Sequence, residues 1–164
     1  MKMLKMTVIS ILLASPIFAQ AGQANVKWHD FNDYRDVRPS NETKGSFHKR
    51  IASSYEKHFS KLAEQLPDGY TFNIEISELD LAGDRIGGMN EIRVIKDIYP
   101  PRIEFNYSVT TSNGQTIKQA NDVKLKDLGF MDRIKMGRDE SFYYEKRLVT
   151  DWFEKELIPS LSLN

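Results

Sequence analysis

The chain contains no cysteine among its 164 residues, and that absence excludes a great deal. No disulfide, thiolate metal site or cysteine nucleophile can exist. A surplus of charge of either sign is also lacking, since 23 Lys and Arg stand against 23 Asp and Glu. This balance gives no electrostatic reason to expect nucleic-acid or anionic-membrane binding. Histidine is scarce: His29, His48 and His58 are the only three. None of them shares the i,i+3 or i,i+4 spacing by which helices build metal sites, so no metal site is expected. Long apolar runs are missing too, because "MTVISILLA" near the N-terminus is about half the ~20 residues of a membrane span.

That short run reads instead as an address. Lys2 and Lys5 precede it, Pro16 breaks it, and "AQA" at 19–21 supplies the small residues a signal peptidase reads. Residues 1–21 are therefore expected to be a cleaved signal peptide, with cut after Ala21 and a product free in the periplasm or secreted. Without cysteine there is no lipid-modified N-terminus. The remainder is long enough for one compact domain, expected over 26–158, which must rely on an apolar core.

The clearest element is a helix. Phe47, Ile51, Tyr55, Phe59, Leu62 and Leu66 form one stripe at helical period, with Ser46 as a reasonable N-cap and Pro67-Asp68-Gly69 as the stop. Around it, "VKWHDF" (26–31) alternates like a short strand. "YTFNIEIS" (70–77) alternates clearly, and the shift of phase to Leu79 and Leu81 implies a bulge near Glu78. "EIRVI" (91–95) begins a further strand that Pro100-Pro101 interrupts, and "RIEFNYSVT" follows. Ser112-Asn113-Gly114-Gln115 predicts a two-residue hairpin turn into "TIKQANDVKLK", with Ile117, Val123 and Leu125 inward. A last helix carries Tyr144, Leu148 and Trp152 in one row and Val149, Phe153 and Leu157 in the next, and Pro159 ends it. The order β-α-β-β-β-α predicts an α+β fold: a mainly antiparallel sheet of about four strands with two helices on one face.

The stretch "ELDLAGDRIGGMNE" (78–91) looks like an ion site but fails as one. With Asp80 as position one of a calcium loop, Asp84 and Glu91 fall at five and twelve. Position three is then Ala82, and Arg85 stands where glycine is needed. A phosphate loop fails as well, since no Lys-Ser/Thr pair follows. The stretch reads as a strand end and a glycine-rich connection whose acids sit in water. Asp80 is expected to pair with Arg102 just beyond the double proline, through a charge-assisted hydrogen bond. In "YYEKR" (143–147), Glu145 borders the apolar stripe, where a salt bridge to the sheet would fit, and the plainer reading is a helix face of solvated charges with one structural ion pair. Trp28 and Trp152 are read as core, and no Gly-x-Ser-x-Gly elbow is present.

"ISELDLAGD", "YPPRIEFNYSV" and "YYEKRLVTDWF" resemble the three signature blocks of a bacterial family, domain of unknown function 3016. The matching positions are Asp80, Leu81, Ala82, Gly83, Pro101, Arg102, Tyr107, Tyr144, Glu145, Lys146 and Trp152. The resemblance implies a single exported domain of a Gram-negative bacterium, and no mechanism or cofactor. The residues to test are accordingly Asp80, Arg102, Tyr107, Tyr144, Glu145, Lys146 and Trp152. Two readings follow. The first is a non-enzymatic binding module whose partner is an envelope protein or cell-wall component, with a sheet edge near Pro100-Pro101 open to a partner strand. The second is a small envelope hydrolase using acids such as Asp80 or Glu145.

Overall fold

The computed structural model describes residues 21–87, 91–132 and 140–161. The expected signal peptide, apart from Ala21, lies outside them, as do Asn90 and half of the 127–140 connection, residues 133–139. Strand β1 (Gln23–Trp28) is followed by helix α1 (Lys44–Ala63), β2 (Thr71–Asp80), β3 (Asp84–Ile86), β4 (Ile92–Val94), β5 (Arg102–Thr110), β6 (Thr116–Lys126) and α2 (Tyr143–Trp152). The last helix runs on through a π-helical turn (Phe153–Leu157) into α3 (Ile158–Leu161).

The fold is α+β, with one main sheet in the order β1-β2-β5-β6. It is mixed: β1 runs parallel to β2, which α1 connects, and the other two pairings are antiparallel. β3 and β4 form a separate two-stranded hairpin. The expected element order is corrected at this point, because "EIRVI" belongs to the hairpin and not to the main sheet. Pro100 and Pro101 separate the two, standing just before β5 where no ladder donor is needed. β5 is an interior strand, so the open edges belong to β1 and β6 and not to the double proline.

The core lies between one sheet face and the two helices. Phe72, Ile74, Ile76 and Leu79 of β2 and Ile103, Phe105, Tyr107 and Val109 of β5 are buried, while their alternate neighbours are half exposed. The bulge expected near Glu78 is present, as a register shift between Ile76 and Glu78. It keeps Leu79 on the buried face after the change of phase. Phe72 is the hub, with ring centroids 6.1 Å from Phe59, 6.0 Å from Tyr107, 6.4 Å from Trp152 and 5.5 Å from Phe153.

Three boundaries depart from expectation. β1 begins and ends three residues earlier than 26–31. α1 begins before Ser46, because the Thr43 hydroxyl caps it by accepting from the Ser46 N–H at 3.3 Å. Pro159 does not end the last helix: the π turn passes an i→i+5 bond from Ile158 N–H to Phe153 O, and Pro159 then stands early in the final turn, where a missing N–H is tolerated. The β5–β6 turn has three residues and not two. The Gly114 N–H donates to Thr111 O and the Thr111 N–H to Gln115 O, both at 2.9 Å. Only Gly114 adopts positive φ, at 81°, since Asn113 uses its side-chain oxygen to accept from Thr111 Oγ1 and the Gln115 N–H.

Truncating Phe72 to Ala removes the hub of this aromatic layer. Stability should fall by about 3–5 kcal/mol, read as a lower urea midpoint at unchanged slope. A loss below about 1 kcal/mol would show that the layer collapses around the gap and that Phe72 is not its centre.

Candidate functional site

The chain concentrates its buried charge at the end of the sheet where β2 stops. Beyond Asp80 the backbone turns through Leu81, Ala82 and Gly83, all buried. Gly83 has φ +81°, and a Cβ there would stand 2.4 Å from Val94 O, so the turn needs glycine. Glu145 reaches this turn from the first turn of α2, and its Oε1 accepts the Ala82 N–H at 2.5 Å. The carboxyl is 3% exposed. Burial pushes its pKa up, while the Ala82 N–H and the nearby Arg93 draw it back down. The expected face of solvated charges is corrected accordingly: Lys146 is buried as well and meets Glu140 at 2.6 Å.

Arg93, on β4, clamps the same turn from the other side. Its Nη1 lies 2.6 Å from Asp36 Oδ2 and 3.2 Å from the Gly83 carbonyl oxygen, and Nη2 lies 3.3 Å from Asp36 O. Asp36 in turn makes a parallel backbone bridge to Asp80. The tight pair at this end is therefore Asp36–Arg93. Asp80 and Arg102 face each other across β2 and β5, but Oδ2 and Nε are 3.7 Å apart, longer than a hydrogen bond. Arg102 Nε makes no hydrogen bond, so the expected Asp80–Arg102 pair is present as an ion pair, without the hydrogen bond. Burial raises the Asp80 carboxyl, against the pull of Arg102. The acids of the glycine-rich stretch are not simply in water either: Asp84 Oδ1 accepts from the Arg85 N–H, and Glu91 pairs with Arg85 at 2.5 Å.

Chemically this is a positioning device. Asp36 and Glu145 already hold an arginine or a backbone N–H, and among the described residues no group of His, Asp or Glu has a metal-holding arrangement. The remaining predicted residues lie elsewhere. Tyr107 and Trp152 are core, with rings 5.1 Å apart. Tyr144 is half-buried, edge-on to Phe130. Trp28 stacks on Phe31 at 4.9 Å and meets Tyr55 edge-on.

Three clefts accompany the cluster. The outer sheet face has a 480 Å³ hollow among Asn25, Asn73, Asn106, Ser108, Gln119 and Asn121. A 990 Å³ groove between α1 and α2 holds His58, Glu140, Lys146 and Thr150. There His58 Nε2 is 3.0 Å from both Lys146 O and Thr150 Oγ1, and burial holds the imidazole below its ordinary pKa. A third cavity, of 370 Å³, is lined by Arg38, Arg50 and Arg93. Neither Asp80 nor Glu145 lines any of the three.

Comparison with protein families matches residues 22–155 to "Protein of unknown function (DUF3016)". The chain belongs to this family. The match begins four residues before the expected Val26 and ends three before Ile158. Comparison with curated proteins returns no match. In three dimensions "ISELDLAGD" and "YYEKRLVTDWF" are joined by the Ala82–Glu145 bond, and "YPPRIEFNYSV" lies beside the first through the Asp80–Arg102 register. Asp36 and Arg93 escaped sequence reasoning because they are 57 residues apart and no local spacing links them.

Glu145 makes two linked predictions. Glu145→Ala leaves the buried Ala82 N–H without its acceptor and should cost about 1–3 kcal/mol in urea unfolding. Glu145→Gln keeps an acceptor but cannot ionise. A carboxyl with a folded pKa above the ordinary 4.5 holds its proton more firmly folded than unfolded. Its stabilising contribution is then fully present below pH 4.5 and is lost as pH rises through the folded value. The Gln variant should therefore gain on the native chain between about pH 4 and 7, and His58, present in both chains, cancels in the comparison. A constant difference across that range would contradict the raised carboxyl.

Proposed function

We propose that this chain is an exported, non-enzymatic binding module of the cell envelope, and that the isoleucine-rich end of its sheet is the contact surface. Export is supported by Lys2, Lys5, the short apolar run and the "AQA" site. No helix among the described residues is long and apolar enough to cross a membrane.

The observation that carries the binding reading is the placement of exposed apolar side chains. Ile86, Ile92, Ile95, Ile98, Tyr99, Leu128 and Met131 are the large hydrophobic residues left exposed among the described residues. All fall in two segments, 86–99 and 128–131. The two approach each other at the sheet's end, where the Asp127 N–H points to Pro101 O at 3.4 Å. Ile86 and Ile92 are register partners on the β3–β4 hairpin. Single exposed apolar residues are ordinary, but a concentration at one end marks an interaction site. An envelope protein with a complementary apolar face is the partner this surface fits.

Ile92→Asp and Ile98→Asp test the reading, since both positions are more than half exposed. Each should leave the urea midpoint within about 0.5 kcal/mol of the native value. Crosslinking in intact envelope should capture one dominant protein with the native chain and lose it with both variants. Capture of the same protein at the same yield by the variants would move the contact surface elsewhere.

A further inference from the structure

The 370 Å³ cavity beside the N-terminal end of α2 is lined by three arginines, Arg38, Arg50 and Arg93. Among the described residues one carboxylate, Glu42, lies on its wall. Glu42 is already engaged: its Oε1 accepts from Arg50 Nε at 3.2 Å and from Nη2 at 2.5 Å. The Arg50 guanidinium also lies 5.1 Å from the ring centroids of both Phe47 and Phe142, which hold its plane in place. Arg93 is anchored from behind by Asp36. Arg38 is exposed and makes no ion pair or hydrogen bond among the described residues. Counting Asp36, three cations face two carboxylates among the described residues, so the described wall carries a positive surplus.

We propose that this cavity binds the phosphate of a small phosphomonoester. Near neutral pH such a group carries between one and two negative charges, which matches the surplus. Its three terminal oxygens can accept from several arginine N–H groups at once, more than the two oxygens of a carboxylate, and arginine's fork is the usual partner of phosphate. Ser40, Asn41 and Ser141 add neutral donors at the rim. The start of α2, at Ser141 and Phe142, adds the partial positive charge of a helix N-terminus. The volume exceeds that of a bare phosphate, and the Phe47 and Phe142 rings give the organic part of the ester an apolar wall.

The test is a titration of the chain with phenyl phosphate, inorganic phosphate and benzoate, followed by calorimetry and by the arginine Nε–H resonances. Phenyl phosphate should bind about tenfold more tightly than benzoate, with shifts at Arg38 and Arg50. Arg38→Ala should weaken phenyl phosphate about tenfold while leaving the urea midpoint close to its native value, because Arg38 is exposed and makes no ion pair or hydrogen bond among the described residues. Arg50→Lys keeps the charge but loses the fork, and should weaken it also. Phosphatidylcholine vesicles with and without phosphatidic acid separate the sources. Arg38-dependent vesicle binding assigns a lipid headgroup, and its absence beside phenyl phosphate binding assigns a free ester. No phenyl phosphate binding, equal affinity for benzoate, or affinity indifferent to Arg38→Ala would overturn the proposal.

Discussion

A single buried hydrogen bond, from the Ala82 N–H to the Glu145 carboxylate, joins the C-terminal helix to the far end of the sheet. Removing a carboxylate from water costs several kcal/mol before any partner is counted. That cost is offset here by the backbone donor and by the nearby Arg93, and the residual imbalance appears as a raised pKa. The bond cannot be replaced by apolar packing, because Ala82 would then bury an unpaired N–H. Sequence, burial and titration thus meet at one pair of atoms.

Much of the rest is arranged around that point. With Ala82 held, Gly83 can pack against Val94 and offer its carbonyl oxygen to Arg93. Arg93 then draws in Asp36 and with it the segment between β1 and α1. The β3–β4 hairpin leaves this anchored base and carries Ile86 and Ile92 outward. Charge at the base and apolar surface at the tip is a division suited to presenting a contact patch on a firm support. The arginine cavity shares Arg93 with the base, so the same residue stands between the structural network and the candidate phosphate site.

The elements with a strong internal period were legible in the sequence. The α1 stripe, the alternation of β2 and β5 and the bulge near Glu78 each follow from spacing along the chain. Family resemblance supplied Asp80, Gly83 and Glu145 as positions of interest. What could not be read were relations between segments distant in sequence. Asp36 and Arg93 carry no local signature, and Glu145 was legible only as a border residue, because nothing in the sequence shows that its partner is the backbone N–H of Ala82. Strand β4 was legible in "EIRVI", but β3 and its pairing with β4 apart from the main sheet were missed, because three-residue strands are too short to show a period. The misjudged Asn-Gly turn shows side-chain hydrogen bonding at Asn113 prevailing over backbone preference.

The most direct measurement is hydrogen exchange at the Ala82 amide, compared with the interior amides of β5 and those of the loop carrying Ile98. If the Glu145 carboxylate pins this turn, Ala82 exchanges as slowly as the β5 core, and Glu145→Ala releases it without releasing β5. Exchange of Ala82 in the native chain at the rate of the Ile98 loop would mean that the turn opens freely, and that the anchor described here does not hold.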